Sequence, residues 1–175
     1  MEKTVKQLKN FRVDALYGKK RHYNAADRKT KYAYWTSITL VVLNALTSTA
    51  LVNVVFGEGT KKAEITALVL AVLATITVGL KKTCDFEKQA AGNRAVADAY
   101  LKIGKNISLT LSLREDGILS NEMFTERADS IMSSINETNE LGTQFPTSNA
   151  DYKAAKKGID NGEEYYTEDE LNLWE

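Results

Sequence analysis

Few residues in this chain have the types and spacing that catalysis or metal binding needs. His22 and Cys84 occur once each and lie far apart in the sequence. An imidazole can move protons near neutral pH and a thiolate can attack or ligate. Single copies at such a separation offer no cluster with metal-ligand spacing. His22 sits in a basic stretch and is expected to be solvated. The run "GEGTKK" at 57–62 partly matches a phosphate-binding loop, but it lacks the GxxxxGK[ST] spacing and no strand precedes it. Carboxylates crowd the C-terminal region on faces expected to be solvated. Asn106-Ile-Ser108 and Asn136-Glu-Thr138 are sequons, without meaning if they lie in the cytoplasm. Cys84, beside Lys81 and Lys82, sits where a thiol can be acylated, though a silent, buried cysteine is the simpler expectation. No enzyme, cofactor or metal site is expected, and no direct nucleic-acid site is evident.

A second group of polar residues lies in an unusual place, the apolar stretch "ITLVVLNALTSTALVNVV" at 38–55. At 100° per residue, Ser37, Asn44 and Ser48 fall within an arc of about 40°, with Thr36 and Thr47 along its edge. Thr39, Thr49 and Asn53 form another cluster on a different side. Such side chains join helices by hydrogen bonds worth roughly 0.6–2 kcal/mol each. They can equally form the wet wall of a lumen. Ser37, Asn44, Thr47 and Ser48 are therefore candidate pore-lining or interhelical residues. Ala67, Ala71 and Ala74 make a small-residue face suited to close packing.

The elements that must position these residues follow from the charge pattern. Tyr32 to Gly57 is an uncharged run of 26 residues, and Ile65 to Leu80 is one of 16. As helices they would reach about 39 and 24 Å, against a hydrocarbon thickness of roughly 30 Å. The second is short, but Lys61, Lys62, Lys81 and Lys82 can snorkel from its ends. Tyr32, Tyr34 and Trp35 stand where an interfacial aromatic belt would. The short link between the runs forces an antiparallel hairpin, read as two transmembrane helices at about 32–57 and 64–80. A buried hairpin in a soluble bundle is the competing reading. Lys and Arg concentrate on the outer flanks of both runs, which puts both termini in the cytoplasm.

The rest of the chain reads as helical, with one Pro and no persistent β alternation. One Cys excludes an intramolecular disulfide and points to a reducing compartment. Residues 1–31 hold ten Lys/Arg against three Asp/Glu, while residues 137–175 hold ten Asp/Glu against three Lys. Residues 3–31 suggest a basic amphipathic helix with Val5, Leu8 and Phe11 on one side and a break near Gly18. Val96, Tyr100, Ile103, Ile107 and Leu111 form one stripe on a helix over about 83–113, which "EDG" ends. The stripe is core, helix against helix or subunit against subunit, and Val96, Tyr100, Ile103 and Ile107 are the candidate oligomer interface. Ser120 can cap a helix with Phe124, Ala128, Ile131 and Ile135 on one face. Pro146 ends that block, a short helix over about 149–157 stops at Gly158, and Thr167 with Glu170 has a capping-box pattern. The expected organisation is an all-α membrane protein: a basic N-terminal helix (1–31), a transmembrane hairpin (32–80), and a cytoplasmic helical region with an acidic tail (81–175).

The order of segments carries a resemblance. "KKRHYNAADR" (19–28) precedes the hairpin, and "TCDFEKQAAGNRAVADAYLKI" (83–103), "SNEMFTERADSIMSSINE" (120–137) and "FPTSNADYKAAKKG" (145–158) follow it. This arrangement resembles the SLATT family, two-transmembrane effector domains of bacterial conflict systems. The resemblance implies an antiphage effector in the inner membrane that homo-oligomerises and forms a pore or breaches the bilayer. It also implies a partner sensor encoded nearby, such as a nucleotide-signalling enzyme or a reverse transcriptase, since no sensor domain is recognised in this chain. It supplies no catalytic residues. A two-span anchor whose cytoplasmic helices bind a partner protein, and a soluble helical scaffold, remain the alternatives.

Overall fold

The computed structural model describes residues 2–57 and 60–163. Five helices and no strand occur among the described residues: α1 Glu2–Phe56, α2 Lys61–Cys84, α3 Phe86–Glu115, α4 Asn121–Thr143 and α5 Asn149–Asp160. The protein is all-α, as its sequence indicates. Two compact units are present, one gathering the described residues of Met1–Ala26 and Ala91–Glu175, the other those of Asp27–Ala90.

The first unit is built around an apolar core. Leu8 and Ala15 of α1 meet Ile103, Ile107 and Leu111 of α3 and Phe124, Ala128, Ile131 and Ile135 of α4. Val5 and Phe11 pack against this core, so the amphipathic face read at the N-terminus is a buried one. Withdrawing each large aliphatic side chain from water contributes about 1.5–3 kcal/mol. Val96 and Ile107 are 0% exposed, and Ile103 is 4% exposed, within a single chain. Tyr100 is packed against the core, and its hydroxyl donates to Asn139 Oδ1 at 2.6 Å. The stripe Val96, Tyr100, Ile103 and Ile107 is thus consumed inside the protomer, which corrects its assignment as a subunit interface. Spacing shows that a face is buried; it carries no information about what buries it.

Glycines depart from expectation in the same unit. α1 does not break at Gly18. A Cβ there would lie 2.8 Å from the Tyr100 ring, so the residue permits close approach rather than a turn. α5 runs through Gly158 to Asp160, and the left-handed residue is Gly162, at φ 81. Thr167 and Glu170 lie outside the described residues. Ser120 caps α4 by accepting from the Met123 N–H at 3.2 Å. Ser148 and Asp151 form a reciprocal capping box on α5.

The second unit is the hairpin. Thr60 caps α2 through the Ala63 N–H, and α2 continues to Cys84, beyond the end of the uncharged run. At 24 residues it is about 36 Å long. Asp85, at φ 39, ends α2 and starts α3. Its N–H donates to Lys81 O, its carbonyl accepts from Gln89 N, and its Oδ1 accepts from Lys88 N. An Asp tolerates the left-handed region better than most residues and is a strong N-cap. The buried residues of α2 are Ala67 and Ala74, with Ala71 half-buried between them. The remaining surface is apolar and open: Trp35 is 62% exposed and Phe56 is 85% exposed. None of the most apolar window of the first span is buried, and 11% of the second is. A soluble core hairpin would hide these side chains; a bilayer accepts them.

Because the Tyr100 ring occupies the space beside Gly18, Gly18→Val is expected to destabilise the protein by about 1–3 kcal/mol. Thermal unfolding in detergent, followed by circular dichroism, measures it. An unchanged Tm would remove the close-packing account of this glycine.

Candidate functional site

Two groups of polar residues stand out, one in each unit. In the first unit they lie on α1 within the segment "KKRHYNAADR". Leu8, Ala15 and His22 recur at seven-residue steps, and Gly18 and Ala25 follow Ala15 and His22 by three residues each. This register places the imidazole on the buried face, where His22 is 7% exposed. Its Nδ1 donates to Oδ1 of Asn93, itself 0% exposed, at 2.9 Å. The other edge of the ring faces Gly142 of α4. The expectation of a solvated histidine is therefore wrong.

Neighbouring residues extend this polar seam. Tyr23 donates to Asp98 Oδ1, Arg21 Nε donates to Thr147 Oγ1, and Asn24 Nδ2 donates to the Asp151 carbonyl at 3.2 Å. Lys20 is paired with Glu163. The seam ties α1 to α3 and α5, and to the link before α5. Hydrogen bonding to Asp98, then burial, then the Asp98 charge hold the Tyr23 hydroxyl protonated and push its pKa up to about 12, against an opposing pull from Arg94. Burial likewise raises the pKa of Tyr100, with Arg21 opposing and Asp14 assisting. No buried side-chain nitrogen or oxygen among the described residues lacks a partner. A network closed in this way positions helices. Sequence reasoning missed His22, Asn93, Tyr23 and Asp98; the seven-residue recurrence on α1 was the available signal.

In the second unit the cytoplasm-facing end expected for the hairpin is densely paired. Lys29 is buried and donates to Gln89 Oε1 at 3.0 Å. Arg28 lies over the Tyr32 ring, whose edge contact with Phe86 has a centroid separation of 5.5 Å. Lys81 Nζ donates to Ser37 Oγ at 3.0 Å and pairs with Glu87 at 3.4 Å.

The four polar candidates of the first span separate here. Ser37 and Thr47 are half-buried, and Asn44 and Ser48 are exposed. Every hydroxyl bonds back to the carbonyl four residues earlier: Ser37 to Ala33, Thr47 to Leu43, Ser48 to Asn44. Thr49 does the same with Ala45. Each of these hydroxyls donates within its own helix, and Ser37 Oγ also accepts from Lys81 of α2. The Asn44 side chain differs, since among the described residues no side-chain hydrogen bond is made by its amide, which stands at the midpoint of the uncharged run.

Two long apolar helices with open flanks, joined by a short link and flanked by paired cations, define a two-span helical membrane protein. Residues 5–170 match the SMODS and SLOG-associating 2TM effector domain family 4, and the chain belongs to that family, known as SLATT. Membership makes it a two-transmembrane effector of conflict and defence systems. No curated protein and no solved structure matches the chain.

The Tyr23–Asp98 bond has a pH signature. The folded-state pKa lies above the ordinary value of 10.0, so the contact stabilises fully below pH 10 and is lost as pH rises towards about 12. Tyr23→Phe is expected to flatten the fall in Tm over that interval. Parallel alkaline melting curves of the two proteins measure it, and identical slopes would remove the contact as a source of stability.

Proposed function

We propose that this chain is a membrane effector of a bacterial antiphage defence system that oligomerises in the inner membrane. When a partner triggers it, the assembly forms a pore or otherwise disrupts the bilayer. Asn44 carries the reading. An amide with two donors and an acceptor, held in hydrocarbon without a partner, costs roughly 2–7 kcal/mol. The bonds it lacks within the hairpin must come from a neighbouring subunit or from water. Ser48, one turn further on, is exposed on the same side. Together they give a polar strip that suits a helix-helix interface in a closed assembly and a wet wall in an open one. The family's description as SMODS- and SLOG-associating supports a trigger that comes from a sensor encoded nearby. The cations at both outer flanks of the hairpin support cytoplasmic termini and a multi-pass arrangement.

Asn44→Leu with Ser48→Leu is expected to insert and assemble normally yet fail to dissipate the membrane potential, because an apolar constriction dewets. A potential-sensitive dye in expressing bacteria, with cross-linking in parallel, measures both. A double variant that assembles and still depolarises would remove the lumen; loss of assembly together with depolarisation would make the strip an interface only.

Topology has its own reporter. Cys84 is a free, exposed thiol, and it should react with a membrane-impermeant maleimide only once cells are opened. Labelling in intact cells would reverse the orientation.

A further inference from the structure

A cavity of about 650 Å³ lies in the first unit, between the N-terminal part of α1 and the middle of α3. Four cations surround it: Lys9, Arg12 and Lys19 from α1 and Lys105 from α3. Leu16 and Leu101 supply apolar wall between them, and among the described residues no acidic side chain lines it. Its volume falls in the range of small-molecule sites, and its plan, an apolar hollow with a few convergent charges, is theirs as well.

A second observation stands apart from charge. Gly104 lies inside α3 and lines the same cavity. A glycine in a helix interior weakens the helix, so it needs a reason. Gly18 and Gly92 have one, because the Tyr100 and Phe145 rings fill the space where a Cβ would stand. At Gly104 a Cβ would meet nothing within 4 Å. Packing does not require this glycine; what it does is leave the hollow wide, beside Lys105.

We propose that this groove binds an organic phosphate, an anionic phosphate group joined to an apolar or flat group. The Arg12 guanidinium can hold two phosphate oxygens at once, and the lysines act as point charges around it. The apolar part lies along Leu16 and Leu101. Free nucleotides and phospholipid headgroups share this chemistry, and the experiment separates them.

The full chain is placed in phosphatidylcholine nanodiscs and titrated with a fluorescent N-methylanthraniloyl derivative of ATP, with inorganic pyrophosphate as competitor. In a second arm, nanodiscs containing phosphatidylglycerol are stripped with detergent and the retained lipid is read by native mass spectrometry. Two variants accompany the wild type. Arg12→Glu with Lys105→Glu reverses charge; Gly104→Leu fills the hollow with a better helix former, so its Tm should hold or rise. Saturable nucleotide binding displaced by pyrophosphate, weakened about tenfold or more in both variants, places a free organic phosphate in the groove. Retained phosphatidylglycerol that is lost in both variants places a headgroup there. No binding in either arm overturns the proposal. So does binding that survives either variant, since loss on charge reversal alone reports attraction to a basic surface and not a seat. Neither arm depends on ion flux.

Discussion

The close approach of α1 to α3 is the constraint on which the rest of the first unit depends. Leu8 and Ala15 stand seven residues apart, and Gly18, His22 and Ala25 follow at steps of three, four and three along one face of α1. Such a face is narrow and mostly small, so backbones can come together. Where they meet, polar groups can no longer reach water. An unpaired one would cost about 1–3 kcal/mol, and the His22–Asn93 bond removes that cost. The Tyr100 ring sits over Gly18 and its hydroxyl reaches Asn139, which adds α4. Arg21 and Asn24 reach out from the flank of the same face towards Thr147 and Asp151 and so add α5 with its capping link.

The hairpin solves a different problem with the same chemistry. In hydrocarbon every hydrogen-bonding group must be satisfied within protein. Serine and threonine can manage this alone, since a single hydroxyl reaches the carbonyl one turn back, and Ser37, Thr47, Ser48 and Thr49 do so. An asparagine amide carries more donors than one turn of its own helix can absorb. A run of polar residues that looks uniform in sequence is therefore two kinds of group, one self-contained and one that asks for company.

The basic N-terminal segment divides in the same way. By charge it is one flank of ten cations. In three dimensions Lys20, Arg21 and Lys29 reach named partners beyond their own helix, Arg28 lies over the Tyr32 ring one turn on, and Lys9, Arg12 and Lys19 line a hollow. Charge alone treats these cations as equivalent. Helical phase separates them.

Much of this protein is determined by its sequence alone. Two uncharged runs, the second short but extended by lysines at its ends, specify a hairpin, because apolar helices have few other ways to avoid water. The stripes at Val96, Ile103 and Ile107 and at Phe124, Ile131 and Ile135 specify amphipathic helices, because period 3.6 is a local property. The serine caps at 120 and 148 are local too. Tertiary structure alone decided what each stripe meets: the face read as a contact between subunits closes within one chain. It also placed His22 opposite Asn93, and put Tyr100 against Gly18 where a helix break was expected. It left Asn44 without a partner in its own hairpin, and opened a groove beside Gly104. Each of these depends on which residues far apart in the chain arrive at the same point, and a linear pattern carries the phase of a face without the identity of its neighbour.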